Sequence, residues 1–127
     1  MADHAHEHHQ ASSALTRMVE TANHCAQTGE ICIAHCMVLL GEGHAEMADC
    51  NKSAHNMAAV CRSLASVASF GSAPAADIKA LATACAQFCR TCAAACKKHA
   101  SEHEVCKACM DSCNDCADAC EAYVKTA

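Results

Sequence analysis

Aromatic residues are almost absent: the 127-residue sequence has no tryptophan, one tyrosine and two phenylalanines. Proteins that bind single-stranded nucleic acid stack bases on aromatic faces above a basic surface. This chain has neither the rings nor a basic stripe, and its net charge is −5, so nucleic acid is excluded as a partner. Proline occurs once and glycine four times, which leaves few places for a helix to break. No apolar run approaches the ~18 residues of a membrane span, which argues against membrane insertion. Leu, Ile, Val and Phe together supply only 16 residues. An ordinary core cannot be assembled from that set, so Ala and Cys must occupy interior positions. Both are small, so the elements either approach very closely or enclose something else.

Sulfur and imidazole are what the chain has in excess. It carries 14 cysteines, 10 histidines and 6 methionines. The length fits one domain of about four helices. The densest cysteine run is Cys85, Cys89, Cys92 and Cys96, then Cys106, Cys109, Cys113, Cys116 and Cys120. Every step within each set is three or four residues, the spacing of one face of an α-helix. Such a stripe normally carries Leu or Val, and here it carries thiols.

Taken in order, residues 1–11 contain His4, His6, His8 and His9 among small and acidic residues. They are expected to be a flexible tail, with metal capture by clustered imidazoles as the alternative. Residues 12–127 are expected to form a single bundle domain. Ser12 or Ser13 is the expected cap of a first helix running to about Leu40. Its stripe is Leu15, Met18, Ala22, Cys25, Cys32, Cys36 and Leu39, and Gly41-Glu42-Gly43 ends it. A second helix is expected from about His44 to Phe70, with stripe His44, Met47, Cys50, Ala54, Met57, Cys61, Leu64 and Ala68. Met57 stands where the pattern would accept another cysteine. Gly71-Ser-Ala-Pro74 is the strongest break. The third helix is expected from about Ala75 to His99, on Ile78, Leu81, Cys85, Cys89, Cys92, Cys96 and His99. The fourth is expected from Glu102 or His103 to Lys125, on His103, Cys106, Cys109, Cys113, Cys116, Cys120 and Tyr123.

Long helices with short connections predict an all-α fold, an antiparallel up-down-up-down four-helix bundle with a cysteine-lined core. That topology sets Cys36, Cys50, Cys96 and Cys106 near one end, and Cys25, Cys61, Cys85 and Cys120 toward the other. The far end closes with Leu15, Met18, Leu64, Val67, Ile78, Leu81 and Tyr123, an apolar plug. The near end closes with His44, Met47, His99 and His103, with His35 beside the stripe, as a polar mouth for metal entry. Met37, Met110, His24 and His55 fall off the stripes and are expected at the surface, the methionines there or between subunits.

Many cysteines in a small chain usually mean disulfides, but neighbours on one helical face are poor bridging partners. One or two buried thiols behave as small hydrophobes, and fourteen on matched stripes are too many for packing alone. Metal binding remains. Zinc favours knuckles brought together by loops, and iron–sulfur spacings also sit in loops. Pairs on rigid helices, with Met47 and Met57 on the stripe, suit an ion content with two or three soft ligands, and thiolate with thioether selects Cu(I). For Met57 the residues leave ligand and core filling equally open.

The segments Glu30-Ile-Cys-Ile-Ala-His-Cys36 and Cys106-Lys-Ala-Cys-Met-Asp-Ser-Cys113, on a four-helix pattern covering nearly all the chain from residue 12, resemble the bacterial copper storage proteins. The resemblance implies a homotetramer of bundles that each store multiple Cu(I) ions on thiolates, with His and Met at the open end. On it, Cys25, Cys32, Cys36, Cys50, Cys61, Cys85, Cys89, Cys92, Cys96, Cys106, Cys109, Cys113, Cys116 and Cys120 match the thiolate core, and His35 and Met47 match mouth ligands. Relatives carry further Met near the end of the first helix, where this chain has Leu39 and Glu42. His44, His99 and His103 are mouth candidates from their stripes alone. The expected function is a non-enzymatic Cu(I) reservoir for sequestration, detoxification and supply, with copper donors and copper-acceptor proteins or enzymes as partners. A zinc or cadmium thiolate sink and a small copper chaperone or thiol redox module are the alternatives. The first ten residues are polar and carry no secretory signal, and Met1 is either a native start or one placed before a processed chain. The His-rich start followed directly by a helix leads to the expectation of an exported protein, released after removal of a twin-arginine signal, with the cytoplasm as the alternative.

Overall fold

The computed structural model describes residues 2–127, with side chains from Ala11 onward. Four helices follow one another: α1 (Ala2–Gly41), α2 (Ala48–Phe70), α3 (Ala75–Lys97) and α4 (Glu104–Val124), with one 3-10 turn at Ala45–Met47 ahead of α2. No strand occurs among the described residues. The all-α expectation holds.

Helix ends follow local chemistry. α1 begins at Ala2, ahead of the expected start at Ser12 or Ser13. Residues 2–11 contain neither Gly nor Pro, so nothing in them stops a helix. The side chains of His4, His6, His8 and His9 lie outside the described residues. After Gly41 the chain turns through Gly43, whose φ of +93° favours glycine, and the His44 amide bonds back to the Leu39 carbonyl. α2 ends on Gly71 in the left-handed region at φ +68°. Pro74 then starts α3 with its fixed φ of −59°, and the Asp77 and Ile78 amides bond to its carbonyl.

α1 packs on α2 and α4, and α3 packs on the same two helices. Among the described residues the diagonal pairs, α1 with α3 and α2 with α4, make no close backbone contact. Side-chain contacts fix the direction of every neighbour as antiparallel. Cys32 meets Cys50 while Cys25 meets Met57, and Cys50 meets Cys96 while Cys61 meets Cys85. Cys25 meets Cys113 while His35 meets His103, which closes the ring between α1 and α4.

The interior is sulfur, alanine and a few large apolar side chains. All fourteen cysteines are fully buried, as are Met18, Ala22, Ala54, Met57, Leu64, Ala82 and Ala117. At the α2–α3 end, Met18, Leu64, Ile78 and Tyr123 are buried, and Leu15, Val67 and Leu81 pack half-buried against them. This is the apolar plug expected from the stripes. Polar clips hold the seams from outside. Arg90 of α3 donates to Asn114 and Asp118 of α4 at 3.0 and 2.7 Å, and Arg62 of α2 pairs with Glu30 of α1. Exposed pairs like these contribute roughly 0–1 kcal/mol each, so the buried stripes carry the fold. Asn51 donates to the Ile33 carbonyl at 3.2 Å, and Thr28 meets Ser112 at 2.5 Å across the α1–α4 seam. Among the described residues no buried side-chain polar atom lacks a partner. None of the helices is long and apolar enough to cross a membrane.

Candidate metal centre: a shaft of buried thiols

Each cysteine stripe faces the bundle axis because its three- and four-residue steps follow the buried face of its helix. All fourteen are free thiols. Their sulfurs form a connected series. From the α1–α2 turn inward, Cys36 lies 3.9 Å from Cys32, Cys32 lies 3.6 Å from Cys50, and Cys50 lies 3.2 Å from Cys96. Cys96 is 4.0 Å from Cys92, which is 3.9 Å from Cys109. Deeper, Cys61 lies 3.6 Å from Cys85, 3.7 Å from Cys89 and 4.0 Å from Cys116. Cys61 and Cys116 stand on diagonal helices, so sulfur spans the gap that the backbones leave open.

Within this series four groups hold all their sulfurs within 4.8 Å of one another: Cys32, Cys36, Cys50 and Cys106; Cys61, Cys85, Cys89 and Cys116; Cys32, Cys96 and Cys109; and Cys92, Cys109 and Cys113. A metal–thiolate bond of about 2.3 Å places the sulfurs of a trigonal site roughly 4 Å apart. The observed 3.2–4.0 Å separations need only small adjustments to reach that spacing. Cys25 joins through Cys113 at 3.5 Å. Cys120 lies outside the four groups, although its thiol is shifted upward mainly by Cys116 and Cys85.

The protonation pattern is uneven. Burial pushes the Cys36 thiol up to about 11, and burial with the neighbouring Cys50 and Cys36 pushes Cys106 up to about 12. Cys50, which meets Cys32 and Cys96 on either side, is held down to about 3 by hydrogen bonds from them. Cys109 and Cys116 are likewise shifted down, chiefly by Cys113 and Cys120 respectively. Thiols that donate therefore surround sulfurs poised as thiolates, the form that ligates metal.

At the mouth, His35 Nε2 lies 3.1 Å from His103 Nδ1, and the His99 and His103 ring centres are 6.4 Å apart. These three histidines are half-buried, and Met47, in the 3-10 turn ahead of α2 at the same end, is buried. His44 is placed differently. It sits in the turn before α2, its Nδ1 is 3.3 Å from Glu46, and it is half exposed. His24 and His55 are exposed, as is Met37, while Met110 packs partly against the core.

Two residues with a place in the shaft were missed. Gly29 falls on the Cys25, Cys32, Cys36 stripe and is buried, facing Met57. The signal for it was a stripe position occupied by no side chain. Ser112 escaped notice because it lies beside the Cys109–Cys113 stripe, where its hydroxyl bonds the Cys109 carbonyl at 3.1 Å.

The pattern of a family described as copper storage protein matches residues 11–125. The chain belongs to the copper storage protein family. Its structure is similar to that of the copper storage protein Ccsp from Streptomyces lividans loaded with 10 copper equivalents. The two are 30% identical, with a TM-score of 0.83, over 91% of this chain and 86% of the other. It is similar too to a structure described as copper loading to a cytosolic copper storage protein from the same organism, with five coppers. There the identity is 30% and the TM-score 0.82, over 90% and 94% of the two chains. A histidine-to-alanine mutant of Ccsp matches at 29% identity with a TM-score of 0.83, over 91% and 95%. No curated protein sequence matches. These comparisons overturn the expectation of an exported protein, because the relative of this family that matches over nine-tenths of the chain is described as cytosolic. The His-rich start that suggested export carries no compartment information.

Proposed function

We propose that this copper storage protein holds copper as Cu(I), on the order of ten ions per chain, in clusters of bridging thiolates inside the bundle. The observation that carries the reading is a core of fourteen fully buried free thiols, many of them 3.2–4.0 Å from a neighbouring sulfur and gathered in groups within 4.8 Å. Soft thiolates prefer Cu(I), and a thiolate that bridges two ions lets the ion count approach the sulfur count. The relative loaded with 10 copper equivalents supports a capacity of that size. The helices pre-form the shaft, so loading replaces thiol protons with metal and requires little new helix. Full burial of every cysteine argues for storage over a redox or chaperone module, which needs an accessible reactive thiol.

Copper enters past His35, His99, His103 and Met47, where borderline and soft ligands precede the thiols. The pool is held in the cytosol, by likeness to the cytosolic relative, and exchanged with copper donors and acceptors there. Residues 1–11 are an appendage to the storage domain, which spans residues 12–127. We further propose assembly as a homotetramer. Ile31, Met37 and Val38 support it: they are more than half exposed on the mouth half of α1, where an unpartnered apolar patch marks an interface.

A second reading has its own support. Cys32, Cys36, Cys50 and Cys106, and separately Cys61, Cys85, Cys89 and Cys116, are closed four-cysteine groups of the kind that hold tetrahedral zinc. Anaerobic titration of the fully reduced protein separates the two readings. The storage reading expects continued Cu(I) uptake to on the order of ten equivalents with unchanged helical circular dichroism. Saturation at one or two Cu(I), with tighter zinc binding, would reverse the assignment.

A further inference from the structure

We propose that Met57 is a thioether ligand to Cu(I) in the middle of the shaft, and that Gly29 is the residue that makes room for it. The inference deepens the copper storage reading and rests on it.

Met57 is fully buried, and its Sδ lies 3.3 Å from Cys25 Sγ and 3.5 Å from Cys61 Sγ. Among the described residues no other methionine sulfur accepts from a thiol, although Met18 and Met47 are also buried. Both thiols donate S–H to this sulfur, so its lone pairs already point at the positions where ligands would converge. Replacing those two protons by one Cu(I) leaves two thiolates and a thioether around the ion. The balance is simple: two protons leave, one monovalent cation arrives, and the thioether contributes a donor with no proton to lose.

Charge favours a thioether at this depth. Each thiolate adds a negative charge to a buried core, and unpaired buried charge is costly. A site of one Cu(I) and three thiolates carries two net negative charges, whereas two thiolates and a thioether carry one. Met57 sits well inside the bundle, near Cys25 and Cys61, and among the described residues no charged side chain is buried there to offset a thiolate. Sulfur also has a reason to be there that packing does not supply, because a leucine would fill similar volume.

Gly29 is the second observation. It occupies the shaft-facing stripe position between Cys25 and Cys32 in mid-helix, where glycine is disfavoured relative to alanine. Its backbone does not require glycine, since positive φ occurs only at Gly43 and Gly71 among the described glycines. A Cβ at Gly29 would lie 2.6 Å from the Met57 methyl and 3.7 Å from its sulfur. The missing side chain is thus matched to the thioether that fills its place. Together the pair replaces two opposed stripe positions, where cysteines would fit, with one neutral donor.

The test uses the full-length protein labelled with selenomethionine and fully loaded with Cu(I) under anaerobic conditions. Selenium-edge X-ray absorption should show a selenium–copper shell at bonding distance that is absent from the apoprotein. In Met57→Leu that shell should fall, leaving any contribution from Met47 at the mouth. Met47→Leu should retain the Met57 part. Gly29→Ala should keep the helical fold and the thiolate copper but lose selenium–copper amplitude, since its methyl displaces the end of Met57. An unchanged shell in Met57→Leu, or no shell in a protein whose copper edge shows full thiolate loading, overturns the assignment while leaving storage intact. Unchanged amplitude in Gly29→Ala overturns the role given to the glycine. If copper fails to load on the thiols at all, the storage reading itself has failed, and the copper-edge spectrum reports that separately.

Discussion

Removing one sulfur from the deep group should affect capacity far more than folding. Cys61 has four sulfur neighbours: Cys85, Cys89 and Cys116 at 3.6–4.0 Å, and Met57 at 3.5 Å. Alanine is the informative replacement, because serine would bring a hydroxyl that needs its own partner in an apolar site. Cys61→Ala deletes one heavy atom from a close-packed interior, which costs the apoprotein about 1 kcal/mol. At this chain length that corresponds to a melting temperature about 4 °C lower. The copper-loaded state loses a shared ligand. If each thiolate bridges two ions, the four-cysteine group around Cys61 gives up about one or two Cu(I). Cys120→Ala provides the comparison. It deletes the same atom from an equally buried site that lies outside all four close groups. Its apoprotein cost should match, and its capacity loss should be smaller. Anaerobic Cu(I) titration against a chromophoric chelator reads capacity, and denaturant unfolding of the apoproteins reads the folding cost. Equal capacity losses in the two variants, or an unchanged capacity in Cys61→Ala, would refute the idea that close sulfur groups set where copper is held.

Other outcomes follow from separate parts of the molecule. Cys36 and Cys106 are held up to about 11 and 12, against an ordinary 9.0, so the folded state keeps their protons longer than the unfolded chain. Their stabilising contribution is complete below pH 9 and is lost as pH rises through 11 to 12. The apoprotein melting temperature should therefore fall across that window, while copper-loaded protein, whose thiol protons have already gone, should change less. Replacing His35 and His103 together by alanine should slow Cu(I) uptake several-fold in stopped-flow transfer from a chelator, with the titration endpoint unchanged. Leu64→Ala in the plug should cost about 2–5 kcal/mol in denaturant unfolding of the apoprotein yet leave copper capacity intact, because Leu64 is buried away from the mouth and is no ligand.

Much of this architecture was legible in the cysteine spacing. A stripe of thiols at three- and four-residue steps can face inward only on a helix, and four such stripes with short connections leave one simple topology. Gly71 and Pro74 marked their break because each fixes a backbone angle. The start of α1 was misjudged because Ser12 and Ser13 look like caps, yet both lie within the helix, and Thr16 bonds the Ser12 carbonyl at 3.0 Å as helix interiors allow. His44 fitted its stripe only if the helix reached it. The 3-10 turn at Ala45–Met47 rotates it toward Glu46 instead. His35, beside the stripe of its own helix, was already expected at the mouth; its 3.1 Å contact with His103 was not legible, because periodicity along one helix does not contain contacts to another segment. Met57 remained open for a related reason, since its meaning lies in the sulfur of Cys25 on α1, 3.3 Å away, and in a gap at Gly29 on that same helix, beside its own-helix neighbour Cys61.

The plug has a consequence for how a store of this kind keeps time. Met18, Leu64, Ile78 and Tyr123 seal one end, so on the proposed reading ions would enter and leave through the other. A vessel with a single opening works as a stack: the last ion in is the first ion out. On that reading, copper near Cys36 and Cys106 would be current supply, exchanged at the mouth. Copper near Cys61, Cys85 and Cys116 would be a reserve, released only after the layers above it had gone. Depth along the bundle would then become residence time, and one chain would serve both fast exchange and long holding without any moving part.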